Sequence, residues 1–200
     1  GDGAWLDRQA GFVESAEVRV GLVATYALWK GHDTFLKAAS LLGTMPGARF
    51  FVVGGPIYTT GAQRTLGELE AMAKQLGLNI GFIPHQDDMT AVYRSLDVVV
   101  HASNRPEPFG LVIAEAMACG RAVVVSRGGG AVELFSDDVD AVGHTMGDAR
   151  DLARVLVELI QDRDKRNKLG QAAAESARQR FGASRQAQGM AALYQRLNRC

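Results

Sequence analysis

The run Asp97-Val98-Val99-Val100-His101 constrains the fold of this chain more than any other segment. It is apolar and β-branched without polar alternation, which is the pattern of a parallel strand covered on both faces. Similar runs recur at residues 18–24, at 49–53 where Gly54-Gly55-Pro56 stops the strand, at 79–84 and at 122–126, while Ala141-Val142-Gly143 reads as a final edge strand. Helical periodicity fills the intervals. Residues 32–42 place Phe35, Leu36, Ala39 and Leu42 on one stripe, and residues 62–76 do the same with Leu66, Leu69, Met72, Ala73 and Leu76 before a stop at Gly77. Shorter helices are expected over 89–96 and 111–119, the second ended by Gly120.

Alternation of this kind predicts a doubly wound α/β domain with a mostly parallel six-stranded sheet flanked by helices. Further helices are expected over 148–161, roughly 164–180 and 184–197, with Ser184 as a cap after the break at Phe181-Gly182. Residues 1–15 read as a linker or a short helical remnant, and residues 16–200 as one domain. A hydrophobic content of 47% over 200 residues supplies enough apolar surface for a single core of that size. The chain begins with Gly rather than Met, which is the expectation for a fragment.

Charge and cysteine content narrow the function. The formal net charge is zero, but residues 1–147 carry net −5 and residues 148–200 net +5. A nucleic-acid binder should be basic over a wide face, so that class is disfavoured. The basic tail suits solvent, a partner or a membrane surface. Two cysteines, Cys119 and Cys200, build neither a disulfide framework nor a thiolate metal site and favour a reducing, cytoplasmic setting. No stretch approaches 18 uninterrupted apolar residues.

In a sheet of this type, ligands bind beyond the carboxyl ends of the strands. Neither a GxGxxG fingerprint nor a GxxxxGK[ST] loop follows an early strand, which argues against a dinucleotide site or a P-loop. After the first strand, Lys30 precedes a helix where it can meet a phosphate, or serve as a surface lysine. After the second, Gly54-Gly55 permits either close approach of a ligand or a turn out of the sheet. The most informative junction runs from Val100 to Glu115. Here Gly110 and Leu111 present unpaired amides at a helix start, and Glu107 stands before it as an acceptor for polyol hydroxyls. Glu115 sits in an otherwise apolar helix and needs a partner: the two hydroxyls of a ribose, a neighbouring backbone or an arginine.

The segment Glu107-Pro108-Phe109-Gly110-Leu111, with seven residues between Glu107 and Glu115, resembles the signature of the family 4 (group 1) retaining glycosyltransferases, which have the two-domain GT-B fold. Trp29-Lys30-Gly31-His32, Val53-Gly54-Gly55, the course 116–126 and Gly128-Gly129-Gly130 through Leu134 match the same family. The resemblance runs from about Arg19 to Arg199 and implies the Rossmann-like C-terminal, donor-binding domain, the N-terminal acceptor domain being absent.

The resemblance also implies roles. Lys30 would neutralise the diphosphate of a UDP, GDP or ADP sugar and Glu107 would orient the transferred sugar, the two acting as the catalytic residues. The backbone of Phe109, Gly110 and Leu111 would hold the sugar and distal phosphate, Glu115 the ribose, and the surroundings of Ile83, Pro84 and Met89 the base. His101 and Ser103 would floor the pocket, with Gly54 and Gly55 at its entrance. No cofactor or metal is implied, the nucleotide sugar being the donor substrate. The acceptor would be a hydroxyl on a glycan, a lipid-linked sugar or a small molecule, reached in the cytoplasm or at the cytoplasmic face of a membrane. One departure is that Ala24-Thr25-Tyr26 replaces the family's usual Gly-Arg-Leu. Thr25 offers a hydrogen bond without charge, so either Arg105 or Arg127 joins Lys30 or leaving-group stabilisation is weaker. Two rival readings are a non-catalytic sugar-nucleotide-binding module and a related GT-B phosphorylase or epimerase. The latter would call for a pyridoxal-phosphate lysine or a different carboxylate arrangement.

Overall fold

The computed structural model describes residues 3–15, 17–43, 45–56 and 61–197, excluding the side chains of residues 183, 184, 186 and 192. Six strands form one sheet: β1 (Val18–Val23), β2 (Ala48–Val53), β3 (Ile80–Ile83), β4 (Val98–His101), β5 (Ala122–Arg127) and β6 (Val142–Thr145). Their order across the sheet is β3-β2-β1-β4-β5-β6, and every neighbouring pair is parallel.

Side chains alternate across that sheet into two cores. Val98 and Val100 of β4 join Val20, Leu22, Phe50, Val52 and Val124 on one face. Val99 joins Phe51, Val53, Ile83, Val123 and Val125 on the other. The unbroken valine run thus feeds both layers, as a doubly covered parallel strand must. The first face is covered by α2 (His32–Leu42), α3 (Leu66–Gln75) and α6 (Ala149–Gln161). The second is covered by α4 (Met89–Ser95), α5 (Leu111–Ala118) and α7 (Arg163–Arg180). At the C-terminal end, α8 (Ala183–Leu197) leaves Met190, Leu193, Tyr194 and Leu197 exposed along one stripe.

Four helix starts, those of α3, α4, α6 and α7, follow side-chain caps. Thr65 and Glu68 form a reciprocal capping box, so α3 begins at Leu66 and not at 62. Asp88, Asp148 and Asp162 accept from first-turn amides of α4, α6 and α7. The side chain of Ser184 lies outside the described residues. The segment 1–15 contains α1 (Gly3–Gln9), which is docked on the second core through the fully buried Leu6. Asp7, also fully buried, accepts from Arg19 at 2.6 Å and pairs with Arg49 at 3.5 Å, tying α1 to the first residues of β1 and β2.

Candidate functional site

Because β2 flanks β1 on one side and β4 on the other, the connections leaving β1 and β4 diverge to opposite faces, opening a crevice beyond their carboxyl ends. Two glycines let the chain close around it. Gly31 has φ +73°, and a Cβ there would lie 1.8 Å from the Ala102 carbonyl oxygen; Gly54 has φ +148°, and its Cβ would meet the Ala24 carbonyl oxygen at 1.9 Å. Neither position tolerates a side chain. The Gly54 N–H donates to Ile83 O at 3.0 Å and the Tyr26 N–H to Gly55 O at 3.1 Å, so main-chain pairing continues past the strand ends. Gly54 is therefore explained by chain packing, while Gly55 has open space where a Cβ would stand.

Lys30 and Glu107, 77 residues apart, meet in this crevice. The turn Leu28–Lys30 is fastened to the loop after β4 by the Asn104 N–H, which donates to Trp29 O at 2.9 Å. Lys30 Nζ then donates to Glu107 Oε2 at 2.8 Å, Ser103 Oγ donates to the same oxygen at 3.0 Å, and His101 Nε2 stands 3.7 Å away. His101, facing the carboxylate, and the Lys30 ammonium together hold its pKa at about 2 against the opposing effect of burial. The His101 ring is 6% exposed and neither of its nitrogens has a hydrogen-bond partner. At 3.7 Å its Nε2 lies just beyond hydrogen-bond length from Glu107, and the side-chain bonds the carboxylate accepts are those from Lys30 and Ser103.

These four side chains, with Phe109, Gly110 and Leu111, line a cavity of about 350 Å³. Gly110 has φ +93° and caps α5 without a side-chain bond; the Ile113 N–H turns back to Gly110 O at 2.9 Å, which leaves the Leu111 and Val112 amides at the helix start to face an anion. A second cavity of about 410 Å³ is lined by Gly54, Gly55, Met89 and Glu115. Thr25, Leu111 and Val112 line both, so the two form one cleft. Glu115 is exposed on α5 and its partner is Tyr93, whose Oη donates to Oε2 at 2.7 Å.

Other expected members lie elsewhere. Ile83 is fully buried in the second core, Pro84 is exposed, and neither lines the cleft. Arg127 pairs with Asp137, and Arg105 is exposed outside both cavities. Among the described residues Lys30 is the Lys or Arg that lines these two cavities, while Arg180 and Arg185 line an adjoining cavity of about 690 Å³ that shares Phe109, Leu111 and Glu115 with them. No group of three His, Cys, Asp or Glu residues converges as metal ligands among the described residues.

Two features escaped sequence reasoning. Tyr93 and His85 line the second cavity; Tyr93 follows Met89 by four residues, a spacing that puts both on one helical face. The Gly128-Gly129-Gly130 run packs directly on the Glu107 loop. A Cβ on Gly129 would lie 2.5 Å from Glu107 O, and one on Gly130 would lie 2.0 Å from Pro108 O.

Residues 5–176 match the family Glycosyl transferases group 1. The chain belongs to that family. Among curated members of the group 1 glycosyl transferases, it is 36% identical over 171 residues to the D-inositol 3-phosphate glycosyltransferase of Xylanimonas cellulosilytica, covering 84% of this chain and 39% of that protein. The Mycolicibacterium smegmatis protein of the same name is 36% identical over 157 residues, covering 75% and 34%. The chain therefore spans under two fifths of these relatives' length. Among solved structures, Anabaena HepE in complex with UDP superposes with a TM-score of 0.87 at 31% identity, covering 97% of this chain and 52% of that one. The C-terminal domain of the group 1 glycosyl transferase LpcC from Francisella tularensis superposes with a TM-score of 0.73 at 27% identity, covering 92% and 99%. This group 1 chain thus has the Rossmann-like architecture of one GT-B half.

Proposed function

We propose that the chain is the donor-binding half of a retaining glycosyltransferase, which moves a sugar from a nucleoside diphosphate sugar to an acceptor hydroxyl. The observation that carries this reading is the single cleft at the β1/β4 reversal. It runs from the Lys30–Glu107 pair, past the open amides of α5, to Glu115. Its order fits a sugar, a diphosphate and a ribose in sequence. The complex of Anabaena HepE with UDP-glucose, at 30% identity and a TM-score of 0.86, supports the same ligand class.

In the reaction, the bond from the anomeric carbon to the phosphate oxygen breaks and a bond to the acceptor oxygen forms on the same face. The acceptor proton passes to the departing diphosphate. Lys30 exchanges Glu107 for phosphate oxygens as donor binds, and the α5 amides share the charge that develops on them. Glu107, released from Lys30 and ionised, accepts from the sugar hydroxyls and orients the ring. The acceptor side belongs to an N-terminal domain, so the isolated chain binds donor with little transfer. The exposed stripe on α8 and the exposed Phe109 and Leu111 at the cleft lip are apolar surface available to that domain. A cytoplasmic setting belongs to the same proposal; no helix among the described residues is long and apolar enough to cross a membrane.

Calorimetric titration of the chain with UDP, GDP and ADP sugars tests the reading. One of them should bind, and Lys30→Ala and Glu115→Ala should each weaken it roughly tenfold or more, the scale of a lost charge-assisted contact. Undiminished affinity in both variants would defeat the assignment.

A further inference from the structure

Glu115 stands on the exposed face of α5, yet its carboxylate is tethered from within the fold. Tyr93 is 2% exposed, its ring lies in the second core layer and its hydroxyl opens on the 410 Å³ cavity. A buried tyrosine needs one partner for its hydroxyl, and a main-chain carbonyl would satisfy it. Here the hydroxyl donates to a surface carboxylate 22 residues away. Burial and the bond to Glu115 push the phenol above its ordinary range, so it keeps its proton and acts as a fixed donor. A carboxylate has about four lone-pair sites, and one bond to Tyr93 leaves enough for two further donors.

We propose that Tyr93 is a positioning residue for nucleotide binding: it holds Glu115 Oε2 from the core side, so that the remaining lone pairs face the cavity and accept from both ribose hydroxyls. The proposal rests on the ribose role given to Glu115 above. Met89 lines the same cavity one helical turn before Tyr93, so α4 supplies both a wall of the nucleoside pocket and the anchor of its carboxylate. Without the tether, the Glu115 side chain is ordered at the expense of ligand affinity, a loss of roughly three- to tenfold. That loss depends on the ribose hydroxyls, whereas a change in pocket shape would act on any nucleotide.

The test compares UDP with 2′,3′-dideoxy-UDP by calorimetry on the chain, as wild type, Tyr93→Phe, Glu115→Ala and the double variant. Phenylalanine keeps the ring in its core position, and thermal unfolding checks each variant's fold. Tyr93→Phe should weaken UDP roughly three- to tenfold with dideoxy-UDP unchanged, and should have no further effect once Glu115 is alanine. Equal weakening of both nucleotides, or no weakening, would overturn the proposal. If Glu115→Ala removes the preference for UDP while Tyr93→Phe leaves it intact, the ribose reading stands and the Tyr93 proposal fails. If Glu115→Ala leaves the preference at its wild-type value, both fail.

Discussion

His32 opens α2 with its imidazole 1% exposed, edge-on to Tyr26 at 5.6 Å, and with both ring nitrogens unpartnered. Burial, aided by Arg64, lowers its pKa from 6.5 to about 4. The unfolded chain takes up this proton as pH falls through 6.5, the folded chain not until about 4. Stability from the neutral imidazole is therefore complete above 6.5 and is lost as pH falls towards 4. Urea unfolding at a series of pH values should show this decline, and His32→Phe should flatten it, leaving the share of His144, which burial also lowers. Glu107 works at a lower window. Its carboxyl lies at about 2 instead of 4.5, so its contribution is full above 4.5 and disappears between 4.5 and 2. A carboxyl-carbon NMR titration should find the midpoint near 2, and Lys30→Ala should raise it towards 4.5. A wild-type midpoint at 4.5 would show that the charge cluster does not form. Glu115 was legible as a carboxylate needing a partner, with a ribose, a backbone group or an arginine as the candidates, but a partner reached from a neighbouring helix leaves no mark in local spacing, and within the fold that partner is Tyr93.

At the level of elements, the Gly-rich segment after β5 acts on the Glu107 loop by backbone contact. Gly130→Ala would force a methyl group to within 2.0 Å of Pro108 O, so the loop carrying Glu107 must shift. Displacements near 1 Å cost up to about a hundredfold in activity, and nucleotide-sugar affinity should fall by about tenfold or more. Gly67 offers a contrast within α3: nothing lies within 4 Å of its Cβ position and its φ is not left-handed. Gly67→Ala should raise stability by up to about 0.5 kcal/mol in thermal or urea unfolding, through helix propensity, less than the helix-interior gain because Gly67 is the second residue of α3. The strand and helix periods were legible because β-branched runs and apolar stripes are local. The start of α3 was legible too, in Thr65-x-x-Glu68, although the apolar stripe extended the expected helix to residue 62. The docking of α1 was not, because Asp7 finds Arg19 and Arg49 through the fold rather than through a spacing.

The whole molecule places its chemistry by strand order. Local patterns indicate that six strands alternate with helices, but not that β1 and β4 become neighbours, and that adjacency is what joins Lys30 to Glu107. The motif at 107–115 marked the site in sequence, while the sheet order explains why the early Lys30 turn belongs to it. On the proposed function, with Arg127 paired to Asp137 and Thr25 uncharged, the diphosphate would fall to Lys30 and the α5 amides. The most direct measurement is a crystal structure of the chain with whichever UDP, GDP or ADP sugar binds most tightly in titration. The diphosphate should lie between Lys30 Nζ and the amides at Leu111, with the sugar on Glu107 and the ribose on Glu115. Ligand bound away from the β1/β4 crevice, or in it with the ribose at Glu107 and the sugar at Glu115, would contradict the proposed function.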